Sequence, residues 1–240
     1  MYLHILGRDP KNDPKIFGEG RDPEDWPSVT LSPNGRWLGV NVHQGWAKSE
    51  IFVANISAAR SNPGDGRFHP IAQKIPALFD VTLRNDRFYI HTNHEAPRYR
   101  LFELDPKLPP EQWADRAKWK EIVPQGDDKL EGVAAIGDFL IAEYMHHATN
   151  QLKLLDQGGK LVEEIKLPAL GTIAGMGGEW DGDEVYFGFQ SFAVAPSIYR
   201  LDLKTRKQEL WGRVETPIKP EDYVVEQVKY QSKDGTVVPM

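Results

Sequence analysis

A strand-turn-strand pattern recurs four times along the chain at nearly constant spacing. Its clearest mark is the turn that opens the second strand of each unit: Asn34-Gly35-Arg36-Trp37-Leu38, Asn85-Asp86-Arg87-Phe88-Tyr89, Gly137-Asp138-Phe139-Leu140-Ile141 and Asp183-Glu184-Val185-Tyr186-Phe187. From Arg36 to Arg87, Asp138 and Glu184 the steps are 51, 51 and 46 residues. A third strand follows each time and ends in an acid or its amide, at Asn55, Asp105, Asp156 and Asp202. A fourth lies around 68–73, 119–123, 161–166 and 208–211.

Four strands per unit, repeating every ~40 to 50 residues, are the sequence signature of β-propeller blades. Leucine-rich and helical solenoids do not fit strands bounded by Asn-Gly and Asp-Gly turns. The predicted units run from 26 to 74, 77 to 124, 129 to 168 and 171 to 213. Ahead of them, Tyr2–Leu6 and Lys15–Phe17 read as the last two strands of an incomplete blade, with 7–14 as the turn. The Pro- and charge-rich stretch 106–118 reads as a surface insertion with a short helical turn near 111–116. The fold class is therefore all-β.

Composition narrows the partners. A net charge of -6, with no Lys/Arg cluster, argues against nucleic acid. No apolar run is long enough to span a membrane, and Met1–Pro10 lacks the features of a signal peptide. The absence of Cys excludes disulfide and thiolate chemistry and leaves the compartment open, with the cytoplasm favoured over the periplasm. Seven Trp suit the packed layers between blades.

At position 220, after Pro217 and Pro220, the blade pattern stops. Val224–Tyr230 alternates into Ser232-Lys233-Asp234-Gly235 and out through Thr236–Met240, a hairpin whose second strand has barely begun. The predicted domains are thus 1–219 and 220–240.

This tail, Val225-Glu226-Gln227-Val228 to Ser232-Lys233-Asp234-Gly235-Thr236 with Val238-Pro239-Met240, resembles the point where prolyl oligopeptidases leave their propeller and enter the α/β-hydrolase domain. Glu24-Asp25-Trp26-Pro27-Ser28-Val29 with Leu31-Ser32-Pro33, Thr92-Asn93 with Ala96-Pro97 and Tyr99-Arg100-Leu101, and Phe189-Gln190-Ser191-Phe192 with Pro196 and Ile198-Tyr199 follow the family's order. The resemblance runs essentially from end to end. It implies a seven-bladed propeller, of which this chain holds roughly four and a half four-stranded blades. It also implies that 220–240 is the opening hairpin of an α/β-hydrolase domain otherwise absent from the chain.

A serine hydrolase of that fold needs a Gly-x-Ser-x-Gly elbow, then an acid and a His. Ser28, Ser32, Ser49, Ser57, Ser61, Ser191, Ser197 and Ser232 all lack that setting. In the family the triad lies wholly within the hydrolase domain, so no catalytic residue is expected here and the chain alone should be inactive. Neither metal nor cofactor is expected. His91, His94, Glu95, His146 and His147 read as polar residues at strand ends, since His91 and His94 on one strand face opposite ways. Gly171–Gly178 lacks phosphate-loop spacing and reads as a bend between blades. Asn55-Ile56-Ser57 matches a glycosylation acceptor by chance, and the pairs Asp127-Asp128 and Glu163-Glu164 read as solvated charge.

Successive strands of a blade reverse direction, so loops joining strands two and three emerge beside the linkers between blades. That places 43–49, 94–98, 146–150 and 190–196 on one face with 18–27, and makes Trp26 and Trp46 neighbours. The resemblance implies that positions matching Trp26, Pro27 and Trp46 face the hydrolase domain and help form an apolar pocket for peptide residues upstream of the cleaved bond. Trp46, where some members carry a small residue, would narrow that pocket. Its alternative role is packing under a loop.

Three readings follow. The first is a propeller segment that gates a prolyl oligopeptidase-like serine endopeptidase, with the missing α/β-hydrolase domain and short proline-containing peptides as partners. The others are a free-standing interaction module and a non-functional fragment. An open arc of blades exposes one apolar face at 2–17 and another near 198–211, so the isolated chain is expected to self-associate or to be poorly soluble.

Overall fold

Four antiparallel sheets, each of four consecutive strands in order, follow one another along the chain. The structure, a computed structural model, describes every residue except 58–66, 218, 220 and 221. The first sheet comprises β1 (Trp26–Leu31), β2 (Trp37–Gln44), β3 (Lys48–Asn55) and β4 (His69–Ala72). The second holds β5 (Phe79–Leu83), β6 (Phe88–Thr92), β7 (Arg100–Leu104) and β8 (Lys120–Val123). In the third are β9 (Lys129–Ile136), β10 (Phe139–His146), β11 (Thr149–Asp156) and β12 (Leu161–Ile165). The fourth holds β13 (Thr172–Gly177), β14 (Glu184–Gln190), β15 (Ser197–Asp202) and β16 (Gln208–Arg213), and β17 (Lys229–Gln231) pairs with β18 (Val237–Pro239) in a terminal hairpin. The chain divides into two compact units, Met1–Pro124 and Gln125–Met240.

The acid or amide closing each third strand has one job in all four sheets. Asn55, Asp105, Asp156 and Asp202 each accept, through Oδ1, the backbone N–H two residues on, from Ser57, Lys107, Gly158 and Lys204, at 2.8 to 3.1 Å. A short carboxylate or amide closes such a turn without any partner from the rest of the fold, which is why these residue types recur there. Asn55 is thereby engaged within its own turn, its Oδ1 also accepting from Ser57 Oγ at 2.7 Å.

A second regularity lies between the third and fourth strands. Register shifts at Ile51/Phe52, Leu101/Phe102, Leu154/Leu155 and Ile198/Tyr199. In each case the fourth strand carries the extra residue, Ile71, Ile122, Val162 or Trp211, which lacks a Cα partner. Each is a β-bulge that bends and twists the outer strand.

In Met1–Pro124, β5 buries Phe79, Val81 and Leu83 at alternate positions, the period of a pleated strand. These meet Trp37, Ile51, Val53, Ile71, Phe88, Ile90 and Leu104 in one core. Val40, Val42 and Phe52 form a second cluster with Phe17 and Phe68. Equivalent turns also bond directly, Asn34 donating its backbone N–H to Asn85 Oδ1 at 3.0 Å. In Gln125–Met240, Val185, Phe187 and Phe189 of β14 alternate inward against Ile141, Leu152, Leu154 and Leu201.

Neighbouring sheets within each unit are stapled by a buried polar residue at the start of the third strand. The Ser49 N–H donates to Ala77 O at 3.0 Å, while Ser49 Oγ accepts from the Phe79 N–H at 2.7 Å. Asn150 repeats the pattern, donating to Gly171 O at 3.0 Å and accepting from the Ile173 N–H at 2.9 Å.

Several expectations change. Residues 2–6 and 15–17 form no strands. One bridge, Tyr2 to Lys15, joins them, backed by Leu3 N–H to Pro14 O at 3.0 Å, with a 3-10 turn at Pro10–Asn12. Proline at 14, opposite Leu3, lacks the N–H that would return the Leu3 bond and carry the ladder on. The stretch 106–118 holds two 3-10 turns, Pro110–Gln112 and Arg116–Lys118, and is not a surface appendage, since Trp113 between them is 1% exposed. Gly171–Gly178 is no bend between blades: Thr172–Gly177 is a strand whose register breaks between Ile173 and Met176, with Gly175 at φ 86°. The terminal hairpin begins at Lys229 and is closed by reciprocal bonds between Val228 and Met240 at 2.9 Å. The boundary placed at position 220 lies outside the described residues, as does Ser61.

Candidate functional site

The Asn34-Gly35 turn sets the register that builds the site. With Leu31 opposite Leu38, counting outward brings Trp26 opposite His43 and Ser28 opposite Asn41. Side chains alternate along a strand, so Trp26, Ser28 and His43 share one face of the sheet, and the turn after Gln44 sets Gly45 and Trp46 at its end. Together with Glu24 these residues line one concavity of about 540 Å³. Trp26 is 78% exposed and Trp46 99% exposed. Neither indole makes a ring contact with another aromatic side chain among the described residues. Pro27 lies opposite Val42 on the other face of β1, exposed, and does not line the concavity.

The segment that presents Trp26 is held from below. Arg21 places its guanidinium 2.8 Å from Asp25 and 2.7 Å from Glu50, and its Cζ stands 5.7 Å and 5.4 Å from the ring centroids of Phe17 and Phe52. Glu50, 5% exposed, also accepts the Lys74 N–H at 2.9 Å. Asp25 accepts Gln44 Nε2 at 3.1 Å, which ties the approach to β1 to the end of β2 beside Trp46. Every charge in this network is opposed, the condition under which partly buried ions are tolerated.

Sequence reasoning paired Trp26 with Trp46 but missed Glu24, Ser28 and His43 as their neighbours. The signal was present, because a short turn closed between Ser32 and Trp37 fixes the pairing of every residue on its flanking strands.

The other candidates separate. His91 stacks on Tyr99 at 4.6 Å, whereas His94, in the β6–β7 turn, is contacted by Arg116. Burial first, and then the Arg116 charge, lower the His94 pKa. His146 bonds Asp128 at 2.8 Å, so Asp128 is paired and not simply solvated. Among the described residues no group of three or more His, Asp or Glu is placed to hold a metal ion. Ser32 Oγ donates to Asn34 Oδ1, Ser191 Oγ accepts from the Ala193 and Val194 N–H groups, Ser197 Oγ donates to Ala195 O, and Ser28 Oγ donates to Asn41 O at 3.4 Å.

Residues 1–214 match the family described as prolyl oligopeptidase, N-terminal beta-propeller domain. The prolyl endopeptidase of Elizabethkingia miricola is 30% identical over 241 residues, covering 100% of this chain and 32% of the relative. Prolyl oligopeptidase A of Galerina marginata is 21% identical over 248 residues, again across 100% of this chain and 32% of the relative. A solved structure from a structural and mechanistic analysis of two prolyl endopeptidases superposes with a TM-score of 0.87 at 36% identity, over 99% of this chain and 34% of that one. The apo prolyl oligopeptidase B of Galerina marginata, 20% identical, shares the fold with a TM-score of 0.83, over 100% of this chain and 34% of that one. The chain spans about a third of the length of the curated relatives it matches. With its four-stranded antiparallel sheets as blades, the chain belongs to the family of prolyl oligopeptidase N-terminal β-propeller domains.

Proposed function

We propose that the chain is the propeller part of a prolyl oligopeptidase-type serine endopeptidase, in which it covers an α/β-hydrolase domain and admits short proline-containing peptides to it. Cleavage then belongs to the hydrolase domain, and the chain contributes size exclusion and substrate contact. The observation that carries this reading is the pair Trp26 and Trp46, exposed at 78% and 99% yet lining one concavity. Large aromatic side chains left open on a rigid strand and its adjoining turn bury much area with little rotamer entropy once a peptide arrives. Pro27, on the opposite face of β1, stands outside this concavity and takes no part in the proposed contact.

The test is kinetic, on the full-length enzyme carrying this chain. Trp26→Ala and Trp46→Ala should each raise KM for peptides extended upstream of the proline while leaving kcat, and the turnover of a minimal dipeptide substrate, within about twofold. The 240-residue chain alone should not turn over a proline-containing chromogenic peptide. Unchanged KM in both variants would remove the peptide-contact role, and turnover that copurifies with the chain would remove the division of labour.

A further inference from the structure

The concavity has two chemical components. One is the pair of indoles with unengaged faces. The other is Glu24, the one residue among the described lining that carries a formal charge with His43 neutral. Glu24 is exposed and makes no ion pair among the described residues. Its backbone N–H donates to Asp22 Oδ1 at 2.9 Å, which fixes the turn that presents it. Asp25 and Glu50 differ from Glu24 in sharing the one guanidinium of Arg21, while Asp22, exposed, accepts the Glu24 N–H. Arg21 shows what such surroundings hold, since its guanidinium lies between two carboxylates and near the rings of Phe17 and Phe52. A few residues away, two indoles and a carboxylate offer the same combination with no cation of the chain in it.

We infer that this concavity selects a cationic side chain of the bound peptide, arginine above lysine, with the indoles of Trp26 and Trp46 as its walls and Glu24 as its counter-ion. Glu24 places a negative charge on the rim of a lining otherwise made of indoles and uncharged groups, a charge complementary to a cation. Tryptophan is the strongest cation–π partner, and a planar guanidinium both stacks on an indole and forks onto a carboxylate, which an ammonium does not. Glu24 is thus a specificity-determining residue of the site, an inference that rests on the peptide-binding reading above.

The experiment follows the indole N–H resonances of Trp26 and Trp46 in the full-length enzyme carrying this chain, inactivated at its nucleophilic serine, and assigned with Trp26→Phe and Trp46→Phe. Four capped peptides, identical except for Arg, Lys, Leu or Glu upstream of the proline, are titrated at low and high salt. We expect the Arg peptide to bind about tenfold more tightly than the Glu peptide and several-fold more tightly than the Leu peptide, with the advantage shrinking as salt rises. Glu24→Gln should remove most of the Arg advantage over Leu and leave Leu affinity unchanged, with the other indole resonances in place as the check on folding. Equal binding of Arg and Leu peptides, or an equal loss for both in Glu24→Gln, would overturn the cation preference while leaving the peptide site standing. If no peptide moves either resonance, the peptide site and its preference fall together.

Discussion

The indole of Trp113 packs edge-on against that of Trp37, ring centroids 5.6 Å apart and planes at 73°. Phe88 completes the group, 5.3 Å from Trp37 and 5.5 Å from Trp113, so a residue from the connection between β7 and β8 fills the core beneath the first sheet. The Trp113 Nε1–H donates to Leu108 O at 3.1 Å, which lets the polar end of the ring be buried with the rest.

Trp113→Ala should therefore cost about 3–5 kcal/mol, as an emptied core site does. Trp46→Ala, which removes an exposed ring, should stay within about 0.5 kcal/mol of the parent. Chemical denaturation of both variants checks the contrast, and a Trp113 variant as stable as the parent would contradict the burial.

The staples predict a matched pair. Ser49→Ala strands the Phe79 N–H and Asn150→Ala strands the Ile173 N–H, each losing about 1–3 kcal/mol for an unsatisfied buried donor. The midpoint of urea unfolding should fall with the slope unchanged. Phe79 O keeps Asn41 Nδ2 at 3.1 Å, so the loss at Ser49 concerns the N–H alone.

Gly137 opens the β9–β10 turn at φ 53° and donates its N–H to Trp180 O at 3.0 Å. A Cβ there would stand 2.6 Å from Gly182 O, against backbone that cannot swing aside. Gly137→Ala should cost about 1–3 kcal/mol from the positive φ, with the close contact added to it. Gly126→Ala, where a Cβ meets nothing within 4 Å, is the control and should be near neutral.

Burial, with the charge of Glu131 second, pushes the Glu143 carboxyl above its ordinary value. A raised carboxyl holds its proton longer in the folded chain than in the unfolded one, so the folded state binds more protons between the two pKa values. Its contribution to stability is full below the unfolded value near 4.5 and is lost as pH rises through the folded value. Glu143→Gln, which keeps an acceptor for Asn150 Nδ2, should remove that decline. The difference in stability between variant and parent should grow from pH 4 to pH 8, and a constant difference would show that Glu143 titrates alike in both states.

Much of the fold was legible because its signals are local. A turn acid such as Asp156 accepts N–H groups from the residues just after it, and Asn34-Gly35 fixes its own hairpin, so neither needs the rest of the chain to be recognised. The pairing of Trp26 with Trp46 followed from strand reversal alone. Trp113 was misread because proline and charge around it set the polarity of the connection, whereas its burial depends on Trp37, far away in sequence. Glu24 went unnoticed for a related reason: what sets it apart from Asp25 is which carboxylates Arg21 reaches, a matter of three-dimensional geometry.

The bulge that recurs at Ile71, Ile122, Val162 and Trp211 lies in the fourth strand of each sheet, and every fourth strand is an edge. A strand with one residue too many cannot offer a continuous ladder of donors and acceptors to a stranger, since the alternation breaks where the extra residue sits. Four apolar, β-rich units in a row would otherwise be ready templates for fibril growth. The same misfit that twists each outer strand keeps that edge from recruiting another molecule.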